Sequence, residues 1–191
     1  IATIILICSF PPRIFAKFNP LDTPNNKYGI LTVDPNDISE IDALVNSSGG
    51  DWGYVQLVIQ ENDKNKEKWQ AVFNQMRRSH LIPIIRLATG IEADAWKKPS
   101  IDSITDWISF FNALNWPIEN RYVILFNEPN HANEWGKSID PQGYAEIATA
   151  FAKAFHTASE DYFVLPAGFD VSAASDGRSL DAAAYLKAMY K

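Results

Sequence analysis

The chain has 191 residues, of which 47% are apolar, 13% aromatic and 21% charged, a globular composition that is neither disordered nor fibrous. Its net charge of -6 leaves no basic surplus to neutralise phosphates, so a nucleic-acid partner and a polybasic membrane-surface role are both disfavoured. One cysteine, Cys8, excludes an internal disulfide framework and a Cys-rich zinc site, and His80, His131 and His156 have no metal-ligand spacing.

Ile1 to Phe10 is an apolar run closed by Pro11 and Pro12. It is about half the length a membrane-spanning helix needs. It suits the apolar part of a secretory signal peptide, with a cleavage position after Ala16, so residues 1–16 read as a signal remnant. The mature chain is then secreted or cell-surface, without a stable membrane span. A buried first strand is the alternative.

Five runs read as strands: Tyr28 to Val33, Tyr54 to Ile59, Ile82 to Leu87, Tyr122 to Phe126 and Tyr162 to Leu165. The last three are nearly all apolar, as in parallel strands covered on both faces. Helical stripes separate them. Ile38, Ile41, Leu44 and Val45 form the first. Trp69, Val72, Phe73 and Met76 form the second, and Ile104, Trp107, Ile108 and Phe111 the third. Tyr144, Ile147, Ala148, Phe151 and Phe155 form a fourth, opened by Asp140-Pro141 as N-cap and first-turn proline. Leu180 to Tyr190 reads as a fifth helix, and Lys64 to Lys68 as a solvated, charge-rich first turn.

Strict β/α alternation implies right-handed parallel units, in a (β/α)8 TIM barrel or an open doubly wound sheet. The first strand is followed by Asp34-Pro35-Asn36-Asp37 where a dinucleotide fold has its Gly-rich phosphate loop. The barrel is the better reading.

The fourth strand ends in Leu125-Phe126-Asn127-Glu128-Pro129-Asn130. Active sites of β/α folds are built at the carboxyl ends of strands. A glutamate set there among apolar and aromatic groups is partly desolvated, which favours its acid form. A helix cap or a lysine pair would be the purely structural role for it.

Asn-Glu-Pro ending an apolar fourth strand, followed by Asn130, His131 and Trp135-Gly136, resembles the acid/base strand of clan A retaining glycoside hydrolases. These are the TIM-barrel cellulases, mannanases, β-glycosidases and relatives. The resemblance covers Lys27 to Lys191, the first five units of a barrel. It implies Glu128 as proton donor and later general base, and Asn127 as a hydrogen-bonding partner of the sugar 2-hydroxyl. The implied partner is an oligo- or polysaccharide, and no metal or organic cofactor is called for.

Around that strand, Arg86 can hold a catalytic carboxylate ionised or form an ordinary salt bridge. Trp135, and with less weight Trp96, can stack on a sugar face. His131 and Asp170 lie on the same side. Asp34 and Gln60-Glu61 read as helix caps. A retaining glycosidase also needs a nucleophilic carboxylate about 5–5.5 Å from the acid/base. In clan A it ends strand seven, beyond the five units seen here, and a complete barrel takes about 250 residues. The sequence therefore reads as the amino-terminal part of a longer barrel. The competing readings are a non-catalytic carbohydrate-binding or scaffold protein on a decayed barrel, and an unrelated β/α enzyme.

Overall fold

The computed structural model describes residues 27–190. The signal-peptide expectation for residues 1–16, and Cys8 with it, lie outside the described residues.

The main sheet holds five parallel strands: β1 (Gly29–Leu31), β2 (Gly53–Gln60), β3 (Leu81–Ala88), β6 (Arg121–Leu125) and β7 (Tyr162–Pro166). They lie side by side in chain order, each paired with the next. Between β3 and β6 the chain inserts a small antiparallel hairpin, β4 (Ile91–Glu92) and β5 (Ala95–Trp96). Its turn residues Ala93 and Asp94 both have positive φ, 47° and 64°, as a two-residue turn of matching twist requires. No hairpin was expected from the sequence, because the turn lacks the usual Asn-Gly or Asp-Gly signal.

The crossovers are α1 (Ile38–Val45), α2 (Lys66–Arg78), α3 (Ile104–Asn112), α4 (Pro141–Ala158) and, after β7, α5 (Ala182–Ala188). This is a partial (β/α)5 of the expected barrel. The helical stripes are buried as read, with Trp69, Phe73 and Met76 on α2 and Tyr144, Ile147, Phe151 and Phe155 on α4. Leu44 is the exception. It is exposed, and α1 buries only Ile38, Ile41 and Val45. α5 is also shorter than the expected Leu180 to Tyr190.

Caps fix the helix starts. The side chains of Asn65, Asp140 and Asp181 accept the N–H groups of Lys68, Gly143 and Ala184. Asp34 caps a short 3-10 turn, as expected, by accepting Asn36 N–H. Gln60 and Glu61 cap nothing, since α2 begins with Asn65. The Lys64 to Lys68 turn is less idle than a solvated face: Lys64 lies over the Trp107 ring at 4.8 Å, and Lys68 pairs with Asp63 at 2.5 Å.

The period-2 alternation of each strand separates two faces. Val55, Leu57, Ile59, Ile85, Leu87, Val123 and Leu125 pack with the helices in one core. Tyr54, Gln56, Ile84, Arg86, Tyr122, Ile124 and Phe163 alternate with them and lie on the inner, concave face. Tyr54, Tyr122 and Phe163 form an aromatic row across it, at 6.4 Å and 5.5 Å between ring centroids. With five strands this face is covered only in part: Phe163 is 55% exposed and Leu31 50%.

Candidate active site

At the end of β6 the backbone stops being a strand. Phe126 N–H turns back to Ile124 C=O at 3.2 Å, a three-residue turn. Phe126 and Glu128 then take φ of 72° and 25°, in the left-handed region on either side of Asn127. Such conformations cost about 1–3 kcal/mol each for a residue with a side chain and persist only where packing over-determines them. The packing here is visible. Phe126 follows helix-facing Leu125 yet is itself buried against the helices, edge-on to Phe151 at 5.3 Å and to Trp135 at 6.1 Å. Two successive side chains on the helix side leave Asn127 at the strand mouth.

Asn127 joins the polar groups there. The Arg86 guanidinium, from the inner face of β3, donates to Asn127 Oδ1. The amide nitrogen then faces Glu128 Oε2 at 3.5 Å, and Glu134 lines the same cavity wall as Asn127. Glu134 was not singled out in the sequence. It lies at the end of a 3-10 turn (Ala132–Glu134), and that turn folds it back over the strand end. His131 N–H to Glu128 C=O at 2.9 Å and Glu134 N–H to His131 C=O at 3.0 Å close the loop.

The carboxyl that the site pushes up is Glu134. Burial is the main cause, and Glu128 adds to it, while Asn127, Arg86 and His131 work against it. Burial also lowers Arg86, with Glu134 and then Glu128 opposing. Arg86 Nε is buried with no protein partner among the described residues. A cavity of about 120 Å³ opens beside these groups, walled by Arg86, Thr89, Trp96, Lys97, Asn127 and Glu134, between the ends of β3 and β6 and the hairpin.

The expected aromatic platform needs correction. Trp135 is 0% exposed, wedged between Phe126 and Tyr144, so no face of its ring is free for a sugar. It anchors the loop from below. Trp96, the lesser candidate, is the tryptophan on the cavity wall. His131 is not a lone histidine, since its Nε2 meets Asp170 Oδ2 at 2.9 Å. Asp170 is held below the usual carboxylate range, first by Ser172 Oγ and N–H and then by His131.

Asn130, quoted with the strand motif, has a structural task. It is fully buried and donates to the carbonyls of Asp170 and Leu180 at 2.9 and 3.0 Å, while accepting Asp170 N–H at 3.2 Å. It fastens the loop after β6 to the loop after β7. Among the described residues no group of three or more His, Cys, Asp and Glu is placed to hold a metal ion. No described helix is long and apolar enough to cross a membrane.

No protein-family model matches this chain, and neither does any curated protein. Solved structures do. A GH39 β-xylosidase from Caulobacter crescentus superposes with a TM-score of 0.57 at 13% identity, over 74% of this chain and 40% of that one. A glucosidase from Croceicoccus marinus gives 0.53 at 9% identity, over 74% and 37%. The catalytic domain of a mannanase from Streptomyces sp. SirexAA-E gives 0.51 at 17%, over 86% and 55%. The likeness defines a fold, the TIM-barrel-like architecture of these glycoside hydrolases. This chain spans about two fifths of the length of the xylosidase.

Proposed function

We propose that this chain contributes the acid/base half of a retaining glycoside hydrolase acting on a β-glycan or β-glycoside. The observation that carries the reading is Asn127-Glu128 at the carboxyl end of the fourth parallel strand of the sheet, with Asn127 on the wall of a cavity that Arg86 and Trp96 also line. In the first step Glu128 gives its proton to the glycosidic oxygen as a carboxylate attacks the anomeric carbon and the alcohol leaves. In the second, Glu128 takes a proton from water, which displaces that carboxylate and frees the sugar with its configuration retained. Asn127 hydrogen-bonds the 2-hydroxyl, a contact that strengthens in the oxocarbenium-like transition state. The nucleophile belongs to the seventh strand of a complete barrel. We infer further that the enzyme is secreted and that its partner is an oligo- or polysaccharide.

Leaving-group dependence tests the role of Glu128. In the polypeptide carrying the whole barrel, Glu128→Gln should lower kcat/KM for alkyl or poorly activated aryl glycosides by about 10²–10⁴-fold. Dinitrophenyl glycosides, which need little protonation, should lose far less in the glycosylation step. Equal losses for both classes would exclude the acid role. The 191-residue chain alone should turn over none of a panel of aryl β-glycosides. Robust turnover would show that the second carboxyl lies within it.

A further inference from the structure

We propose that Trp96 is the platform of an open glycan cleft running from the strand mouth over the β4–β5 hairpin, and that its ligand is a neutral, linear chain of sugar units rather than a single glycoside. The inference rests on the glycosidase reading for the kind of ligand, and on the surroundings of the ring for its place.

The chain has six tryptophans, and five are core residues. Trp52, Trp69, Trp107, Trp116 and Trp135 are each 3% exposed or less. Trp96 is only half-buried. Two rings enclose Trp135, whereas Trp96 has no aromatic neighbour among the described residues. The indole N–H groups of Trp69 and Trp116 donate to backbone carbonyls, but that of Trp96 has no acceptor among the described residues. The backbone beneath the ring is fixed on both sides. Trp96 pairs with Ile91 across the hairpin, and its C=O accepts Gly136 N–H at 2.8 Å. Lys97 N–H donates to Gly90 C=O at 2.9 Å, and Lys97 C=O accepts the Thr89 hydroxyl at 2.7 Å. A ring held this way loses little freedom when a ligand covers it.

Three hollows share this ring. The first is the cavity of about 120 Å³ at the strand mouth, which Asn127 and Arg86 also line. A second, of about 450 Å³, lies toward Gly136 and Lys137, and a third, of about 410 Å³, toward Ile91 and Asn133. The outer two are within the range of about 300–1,000 Å³ typical of ligand sites. Room for a ligand therefore continues past the strand mouth, with the indole between one hollow and the next. The charged groups of the outer two are balanced, Lys97, Lys98 and Lys137 against Glu92, Asp94 and Glu134. Lys97 pairs with Glu92 at 3.4 Å, and Lys98 with Asp140 at 2.5 Å. No surplus of either sign is left to recruit a polyanion or a polycation. A sugar unit has C–H groups on its faces and hydroxyls at its edge. It fits an aromatic face rimmed by both donors and acceptors.

The test is calorimetric titration of the 191-residue chain with cello-, manno- and xylo-oligosaccharides, from monosaccharide to hexasaccharide, and with an oligogalacturonide as the anionic control. In at least one neutral series affinity should rise with chain length, and the oligogalacturonide should bind more weakly. Trp96→Ala should weaken binding of the longest member about tenfold or more, and Trp96→Phe should weaken it less. Iodide quenching reports on the ring itself. One accessible class of tryptophan fluorescence should be present, lost in Trp96→Phe and shielded by the hexasaccharide but not by the monosaccharide. Continued protection of the five buried tryptophans in Trp96→Ala shows that the fold is intact. Unchanged affinity in Trp96→Ala, equal affinity for short and long members, tighter binding of the oligogalacturonide, or no binding in any neutral series overturns the proposal. None of these readouts needs bond cleavage. If the leaving-group experiments fail while length-dependent binding is present, the hydrolase reading falls and the cleft stands; if binding fails while they succeed, the cleft falls and the hydrolase reading stands.

Discussion

The strand-end position of Asn127 and Glu128 was legible because an apolar strand stops there, where side chains meet solvent at the sheet's edge. Glu134 was not, because its place depends on a tight turn and on a buried tryptophan next door, and neither has a periodic signature. Trp135 misled for a related reason: sequence shows a loop tryptophan but not which way its ring lies. Glu134 also carries a cost that can be measured. A carboxyl raised on folding loses stability for the protein as pH climbs from the unfolded glutamate value through the raised folded one. Glu134→Gln removes that penalty. Urea denaturation should find it more stable than wild type at neutral pH, with the gap closing below the ordinary glutamate range. Asn130 predicts the opposite sign. Asn130→Ala strands a buried N–H and two carbonyls, and should destabilise the chain by about 2–4 kcal/mol with no dependence on neutral-range pH.

Elements were read well wherever their periods ran long. The stripes of α2 and α4 span several turns, and every strand of the five-stranded sheet appears within a few residues of its apolar run. β1 is the weak case: Tyr28 to Val33 shrinks to Gly29–Leu31, which pairs with β2 alone among the described strands. Two junctions set how elements dock. Gly53 opens β2 under the end of α1, where an added Cβ would lie 2.5 Å from Val45 Cγ2 and 2.9 Å from Val45 Cβ. Gly53→Ala should therefore cost about 1–3 kcal/mol by overpacking. The start of α4 is held by Asp140, which accepts Gly143 N–H at 2.9 Å and pairs with Lys98 at 2.5 Å. Lys98 and then Gly143 hold Asp140 below the usual carboxylate range. Its contribution is present above the unfolded value and is lost as pH falls through the lowered one. Asp140→Ala should cost about 1 kcal/mol at neutral pH, and less in strong acid.

The described residues form a sheet with helices on one side and a half-covered apolar concavity on the other. Leu31 and Phe163 mark the two rims of that concavity. Replacing both with lysine should cut the fluorescence of a bound hydrophobic dye while shifting the melting temperature little, because neither side chain is enclosed. The two rims are not equivalent. β7 is bolted down by the Asn130 clamp and by Ala167 N–H donating to the buried Tyr144 oxygen at 2.6 Å; burial pushes that phenol up to about 12. β1 has three residues and, among the described strands, one neighbour. Because every strand leans on the one beside it in the chain, loosening has a direction. Amide hydrogens should exchange first along β1, later in β2, and last in β3 and β6, so that the molecule comes apart like a stack unpicked from one end while the end bearing Asn127 and Glu128 is still closed.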